Sequence, residues 1–245
     1  MHILEILLLL WFIGMPIYTA VTFEKNKQML IDGRINRTTA YQQTIAFLWV
    51  PTLLLAAVAW VTELNTMTLG LVFTGSTTEI GVFALLVILT IYGGVNYLSI
   101  KKDAKIRAKY REVFSPMRWI LPQTKSELKW FTIGVSSSAG ICEELLFRGY
   151  LMWLLTPYIG IIGAMVVSSA LFGLNHIYQG WSGVLNTSLL GLVFAFVYWL
   201  TGSLWTVIVL HLLIDVLAGF QAYLALQDDE DYPQAKNSNS VSTTK

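Results

Sequence analysis

The longest part of this chain without a charged side chain extends from Arg148 to Asp215. No Asp, Glu, Lys or Arg lies between these two residues. A soluble domain distributes charges over its whole surface and has roughly 25% charged residues. This chain of 245 residues has 13%. We therefore expect an integral membrane protein whose surroundings are a lipid bilayer.

A helix needs about 20 mostly apolar residues to cross a bilayer. Seven segments reach or approach this length, which predicts an all-α fold, a polytopic transmembrane helix bundle with about seven spanning helices. The apolar stretch Thr66–Phe73 is too short to be an eighth span. The predicted spans are Ile3–Val21, Tyr41–Val61, Ile80–Ile100, Trp130–Leu155, Ile159–Ile177, Ser182–Leu200 and Leu204–Leu224.

Basic residues indicate the orientation of these helices. Lys and Arg are concentrated between helices one and two and between helices three and four, whereas the connection Thr62–Glu79 has none. Because basic connections stay on the cytoplasmic side, we predict that the N-terminus lies outside and the C-terminus lies in the cytoplasm. With no organelle signal recognised, a bacterial plasma (inner) membrane is the expected location.

Net charge and cysteine content exclude several classes of protein. The net charge is +1 and no basic patch with interleaved aromatic residues is present, so no nucleic-acid partner is expected. Cys142 is the single cysteine, which excludes an internal disulfide and a cysteine-built metal cluster.

Ionisable side chains within the spans are functional candidates because a charge at mid-membrane costs several kcal/mol. Glu144 and Arg148 are four residues apart, so they share a helix face and can form an ion pair. Glu143 is rotated by about 100° from Glu144 and can face the interior of the bundle with other partners.

Two later helices add histidines at the same spacing. His211 and Asp215 share one helix face, as do Phe172 and His176. Inward packing of three separate helices would bring Glu143, His176 and His211 around one cavity. A histidine within a membrane can also serve only to hydrogen-bond a neighbouring helix.

Three short motifs follow one another along this part of the chain: EExxxR at residues 143–148, FxxxH at 172–176 and HxxxD at 211–215. In this order, and in apolar surroundings, they resemble the CAAX protease and bacteriocin-processing (CPBP, or Abi) family of intramembrane proteases. The similarity includes the type II CAAX prenyl endopeptidases. It covers roughly residues 125–224, and the first three helices match only as hydrophobic spans.

The resemblance implies an enzyme, an endopeptidase that hydrolyses a peptide bond inside the membrane. Glu143 with His176 would activate a water molecule, and His211 and Asp215 would stabilise the oxyanion. The prenyl endopeptidases have an HxxxN pattern, and an Asp can donate a hydrogen bond only when it is protonated. We therefore hypothesise that Asp215 orients His211 or is protonated.

The same resemblance assigns support of the site to Glu144, Arg148 and Phe172. It also suggests three regions. Residues 1–124 would hold the N-terminal helices and the basic cytoplasmic loop, residues 125–227 the catalytic core, and residues 228–245 a disordered polar tail. The expected partner is a membrane-associated protein or peptide, with prenylated proteins and bacteriocin-like peptides as candidate substrates.

Two alternatives stay open. Two histidines and a glutamate form the ligand set of many hydrolytic zinc sites, so zinc held by Glu143, His176 and His211 is an alternative to the mechanism without a cofactor that we favour. No HExxH helix is present. The other alternative is a non-catalytic membrane scaffold or a transporter-like protein, since transporters also place ionisable residues at mid-membrane.

Overall fold

The structure is a computed structural model that describes residues 2–227, and the polar tail assigned to residues 228–245 lies outside them. The described chain is helical, with no strand, which confirms the all-α prediction. We number seven helical elements in chain order: α1 (Ile3–Ile31), α2 (Arg37–Thr62), α3 (Thr77–Lys102), α4 (Ala104–Phe114), α5 (Lys125–Leu174), α6 (Gly180–Thr201) and α7 (Leu204–Leu226).

Six of these elements are long and apolar enough to cross a membrane, and α4 is the exception. The fourth such element, α5, has 50 residues, about twice the length of the others. Its helix is interrupted at Gly160, where φ is +69° and ψ is 167°. α5 therefore contains the predicted fourth span and most of the predicted fifth span, which was expected to end at Ile177. The multi-pass bundle expected from the sequence is confirmed, with six candidate spanning elements where about seven were predicted.

The two arms of α5 fold back on one another. Ser168 Oγ in the second arm donates a 2.8 Å hydrogen bond to the carbonyl oxygen of Phe147 in the first arm. The ring of Phe172 lies 5.3 Å from the ring of Phe147. The second arm, residues 161–174, is about 21 Å long at 1.5 Å per residue, which is less than the roughly 30 Å of the apolar core. The short arm brings His176 beside the interior of the bundle.

Side-chain caps explain where several helices begin. Asn36 Oδ1 accepts from the Thr39 amide at the start of α2, and Ser76 Oγ accepts from the Glu79 amide at the start of α3. At the start of α5, Thr124 and Glu127 form a reciprocal capping box. Each cap satisfies amide groups that the first helical turn leaves without a partner.

The basic connection after α3 is more ordered than the sequence indicates. Its first part is the helix α4, which packs against α7. Arg111 Nε donates a 2.8 Å hydrogen bond to the carbonyl of Ala225, near the end of α7. Arg37 of α2 donates to the carbonyl of Trp119 and forms an ion pair with Glu127. The connection thus ties the ends of α2, α5 and α7 together.

The connection between α2 and α3 packs into the other end of the bundle. It forms no long helix over Thr66–Phe73, as predicted. Leu69 is buried, and the Gly70 carbonyl accepts a 2.7 Å hydrogen bond from the amide of Leu204. This connection therefore covers the end of the bundle opposite α4.

Glycines allow the elements that carry the ionisable residues to approach closely. A Cβ at Gly140 in α5 would lie 3.2 Å from the carbonyl oxygen of Ile208 in α7. A Cβ at Gly173 would lie 2.6 Å from the carbonyl oxygen of Val184 in α6. Such close contacts between small residues are typical of membrane helix packing.

Candidate active site

Glu144 and Arg148 form a fully buried ion pair on the first arm of α5. Arg148 Nη1 lies 3.0 Å from Glu144 Oε1, and both side chains have 0% exposure. Arg148 Nη2 donates a 3.1 Å hydrogen bond to the carbonyl of Gly191 in α6. Residues 145–151 form wider, π-helical turns, a feature frequent at functional sites. The pair links α5 to α6 at the level of the other ionisable side chains.

His211 of α7 is held by the same carboxylate. Its Nδ1 lies 2.7 Å from Glu144 Oε1, and because a carboxylate oxygen accepts, the Nδ1–H donates this bond. Its Nε2 lies 3.7 Å from Glu143 Oε2 and 3.7 Å from Asp215 Oδ2. His211 therefore bonds the buried Glu144 carboxylate through Nδ1, while its Nε2 faces the carboxylates of Glu143 and Asp215.

His176 follows the second arm of α5. Its Nδ1–H donates a 2.9 Å hydrogen bond to the carbonyl of Phe172. The other ring nitrogen, Nε2, takes no part in this bond. His176 lies within electrostatic range of His211 and Asp215. Within residues 2–227 the structure has no ion pair between His176 and Glu143.

Phe172 contacts several of these groups at once. The Arg148 guanidinium lies 4.3 Å from the centre of its ring, a cation–π contact. The His176 ring centre is 5.0 Å away and the His211 ring centre 6.0 Å away. Phe172 thus packs against the buried cation and against both imidazoles.

Exposure divides the site into a dry side and an open side. Glu144 and Arg148 are inaccessible, whereas the Glu143 side chain is 15% exposed and that of Asp215 is 32% exposed. The closed side can hold His211 in place, and the open side can admit a reacting group. This division is what a catalytic site requires of its supporting and reacting residues.

The structure brings together all seven residues singled out in the sequence, and it also shows connections that the sequence did not predict. Glu144 bonds His211 as well as Arg148. Tyr178, two residues after His176, places its ring 5.7 Å from the His176 ring. Neither connection has a spacing signal in the sequence. The first depends on how α5 packs against α7, and the second depends on the irregular turn that follows α5.

A second buried carboxylate, Glu79, lies outside the site at the start of α3. Its oxygens accept hydrogen bonds from Thr74, from the Gly75 amide and, at 3.2 Å, from Thr206 of α7. The one sequence feature that indicates a structural role for Glu79 is its position in the first turn of α3, three residues after the capping Ser76. Glu79 joins α3 to α7 and is a structural residue.

A metal ion finds no ready ligand set here. Over the part of the chain that the structure describes, no three His, Cys, Asp or Glu side chains are grouped as metal ligands. The alternative set of Glu143, His176 and His211 is thus not assembled around one point.

Comparison with known proteins bears on the same segment. Residues 125–217 match the family model described as type II CAAX prenyl endopeptidase Rce1-like, and this range contains all three motifs. No curated protein and no solved structure was found to match the chain. The family match agrees with the resemblance drawn from the motifs. The match over residues 125–217 supports assignment of this multi-pass membrane protein to the CAAX protease (CPBP) family.

Proposed function

We propose that this protein is an intramembrane endopeptidase that hydrolyses a peptide bond in a membrane-associated protein or peptide. The observation that carries the proposal is the arrangement of His211, whose Nδ1 is fixed by Glu144 while Nε2 faces Glu143 and Asp215 on the open side. The family match of the same segment to prenyl endopeptidases supports the reaction class.

Glu143 is the proposed general base. Its carboxylate is on the open side of the site and makes no hydrogen bond that would occupy it within the described residues. His176 keeps Nε2 available, because Nδ1–H is bonded to the Phe172 carbonyl. A water molecule between the two residues can give one proton to Glu143 and be oriented by His176. General-base catalysis of this kind contributes about 10²–10⁴-fold.

His211 is the proposed donor to the oxyanion. Three carboxylates surround it, those of Glu143, Glu144 and Asp215, and Arg148 supplies one compensating positive charge. A doubly protonated His211 adds a second positive charge to this group and donates from Nε2–H. A donor aimed at developing negative charge contributes about 3–4 kcal/mol to the transition state.

Asp215 is assigned an electrostatic role in this scheme. Its Oδ2 lies 3.7 Å from the same nitrogen that faces Glu143, whereas the orienting bond to Nδ1 comes from Glu144. A charged Asp215 favours the imidazolium form of His211 and donates no hydrogen bond itself. Glu144, Arg148 and Phe172 keep these groups in position.

The proposed substrate class follows from the family and from the location of the site. The site lies among membrane-spanning helices, so a substrate must reach the bilayer, and the matched family acts on prenylated proteins. The basic connections favour a cytoplasmic C-terminus, and a bacterial plasma membrane is the proposed location because no organelle signal is recognised. Prenylated proteins and bacteriocin-like peptides are the two candidate substrates.

Cleavage in proteoliposomes tests the proposed reaction. The probes are a farnesylated peptide ending in a CAAX sequence, the same peptide without the lipid, and a bacteriocin-type leader peptide. We expect cleavage of at least one probe by the wild type and its loss in Glu143→Gln and His176→Ala. The exposed residue Glu24 supplies the control, since Glu24→Gln should keep full activity. Absence of cleavage by the wild type, or full activity of Glu143→Gln, would refute the proposal.

The zinc-dependent version of this hydrolysis is tested separately. Purified protein is analysed for bound metal, and activity is measured before and after treatment with a strong chelator. The mechanism proposed here requires activity to persist without metal. Loss of activity on chelation, restored by zinc, would instead favour Glu143, His176 and His211 as ligands.

A further inference from the structure

The segment between α5 and α6 departs from helical geometry beside the site. α5 ends at Leu174, residues Ile177–Gln179 form a short 3₁₀ turn, and Gly180 has a φ of +81°. Irregular backbone within a membrane protein is tolerated where protein buries it or where it lines a water-filled cavity. The break directly follows α5 and includes His176 of the site.

This break turns Tyr178 toward His176. In a continuing α-helix, residues two positions apart point about 200° away from one another. Here the two rings lie 5.7 Å apart at an angle of 35°. The phenol consequently lies on the same side as the imidazole, which an unbroken helix would prevent.

The hydroxyl of Tyr178 has a hydrogen to donate. Gln179 Nε2 donates to the Tyr178 oxygen at 3.3 Å, so that bond uses the oxygen as an acceptor. The hydroxyl also interacts electrostatically with the carboxylates of Glu143 and Asp215. A neutral O–H donor therefore lies next to the His176 ring and within electrostatic range of two acidic groups, which lie 3.7 Å from the same nitrogen of His211.

We propose that Tyr178 is a further catalytic residue, whose O–H donates a hydrogen bond to the oxyanion formed during hydrolysis. This role rests on the proposed function. An oxyanion beside Glu143 and Asp215 is repelled by their charges, and a charged carboxylate offers no hydrogen to it. Tyr178 supplies that hydrogen without adding another charge.

The proposed step transfers one proton from water to Glu143 and then from Glu143 to the leaving nitrogen. The oxygen of water forms a bond to the carbonyl carbon, one water proton passes to Glu143, and the carbonyl π electrons move to oxygen. Tyr178 donates a hydrogen bond to this oxyanion and keeps its proton. When the carbonyl re-forms, the carbon–nitrogen bond breaks and Glu143 gives its proton to the leaving nitrogen.

Removal of one oxygen atom tests this role. Tyr178→Phe should lower kcat on the cleaved probe by about 10²-fold, the effect typical of an oxyanion donor, with little change in KM or thermal stability. Tyr158 is exposed at the turn of α5 and provides the control, because Tyr158→Phe should leave kcat unchanged. Equal kcat for Tyr178→Phe and the wild type would overturn the proposal.

A spectroscopic measurement tests the placement of Tyr178 without requiring activity. 3-Fluorotyrosine at position 178 reports on nearby charges through its fluorine resonance, and the same label at position 158 is the control. Glu143→Gln and Asp215→Asn should each shift the resonance at 178 and leave that at 158 in place. An unmoved resonance at 178 would overturn the proposal, whereas an inactive wild type with the expected shifts would count only against the proposed function.

Discussion

Glu144 and His211 are joined by a 2.7 Å hydrogen bond between Oε1 and Nδ1, although 67 positions separate them in the chain. The same oxygen atom pairs with Arg148 at 3.0 Å. One carboxylate therefore neutralises a buried cation and fixes the orientation of an imidazole on another helix. Stability and the geometry of the candidate site depend on the same side chain.

Removal of Glu144 should destabilise the protein strongly. Glu144→Ala leaves Arg148 fully buried without its counter-charge, a change that typically costs about 3–5 kcal/mol. Replacing both partners, as in Glu144→Ala with Arg148→Met, removes the uncompensated charge and should recover much of this loss. Thermal unfolding in detergent, at one fixed heating rate, compares the two variants.

The control for this experiment is Glu24→Ala, since Glu24 is exposed and its loss leaves no buried charge. Its unfolding temperature should match that of the wild type. If the double variant is less stable than Glu144→Ala alone, the ion pair is not the main contribution of Glu144, and the bond to His211 becomes the stronger candidate.

Asp215→Asn separates a charge-based role from a hydrogen-bonding role. The substitution keeps the size of the side chain but removes one of the two negative charges that face Nε2 of His211 at 3.7 Å. We expect lower kcat and a changed dependence of kcat on pH, because the imidazolium loses part of its electrostatic support. Steady-state cleavage measured across a pH series checks this.

Full activity of Asp215→Asn with an unchanged pH profile would exclude the electrostatic role. Asp215→Glu serves as the matched control, because it keeps the charge while moving it. A smaller change in the pH profile for this variant than for Asp215→Asn is the expected pattern.

The fold was largely predictable because its signals are local. Long apolar runs define spanning helices, and the charge-free stretch from Arg148 to Asp215 requires apolar surroundings. The division of α5 was also predicted, since the fourth and fifth spans were placed on either side of residues 156–158. Its position was less visible, because only the φ of +69° at Gly160 shows where the helix breaks.

The candidate site was predictable only within each helix. A spacing of four residues predicts the pairing of Glu144 with Arg148 because both lie on one helix. This spacing does not predict that Glu144 also bonds His211 on α7, because that contact depends on packing between helices. Tyr178 was missed for a related reason, because its approach to His176 depends on a break that the sequence does not indicate.

Gly173→Ala should disrupt the contact between α5 and α6. The added Cβ would lie 2.6 Å from the backbone carbonyl oxygen of Val184 and closer still to the Ser188 side chain, so the helices must separate. Overpacking of this kind costs about 1–3 kcal/mol. Because His176 lies three residues later, activity should fall together with the unfolding temperature.

Gly14→Ala is the matched control for this substitution. A Cβ at Gly14 in α1 meets nothing within 4 Å, and alanine is the better helix former. Its unfolding temperature should equal or exceed that of the wild type. A Gly173→Ala protein as stable and active as Gly14→Ala would show that α5 and α6 can separate without affecting the site.

Cysteine labelling tests the predicted orientation in the membrane. The native Cys142 is buried and should not react with a membrane-impermeant maleimide, so single cysteines can be added to the wild-type background. Thr66 lies in the connection without basic residues and Asn26 in the basic region after the first predicted span, and both are exposed. Because basic connections remain in the cytoplasm, Thr66→Cys should react in intact spheroplasts and Asn26→Cys only after permeabilisation. The reverse pattern would place the N-terminus in the cytoplasm and require the candidate site to be approached from the opposite side.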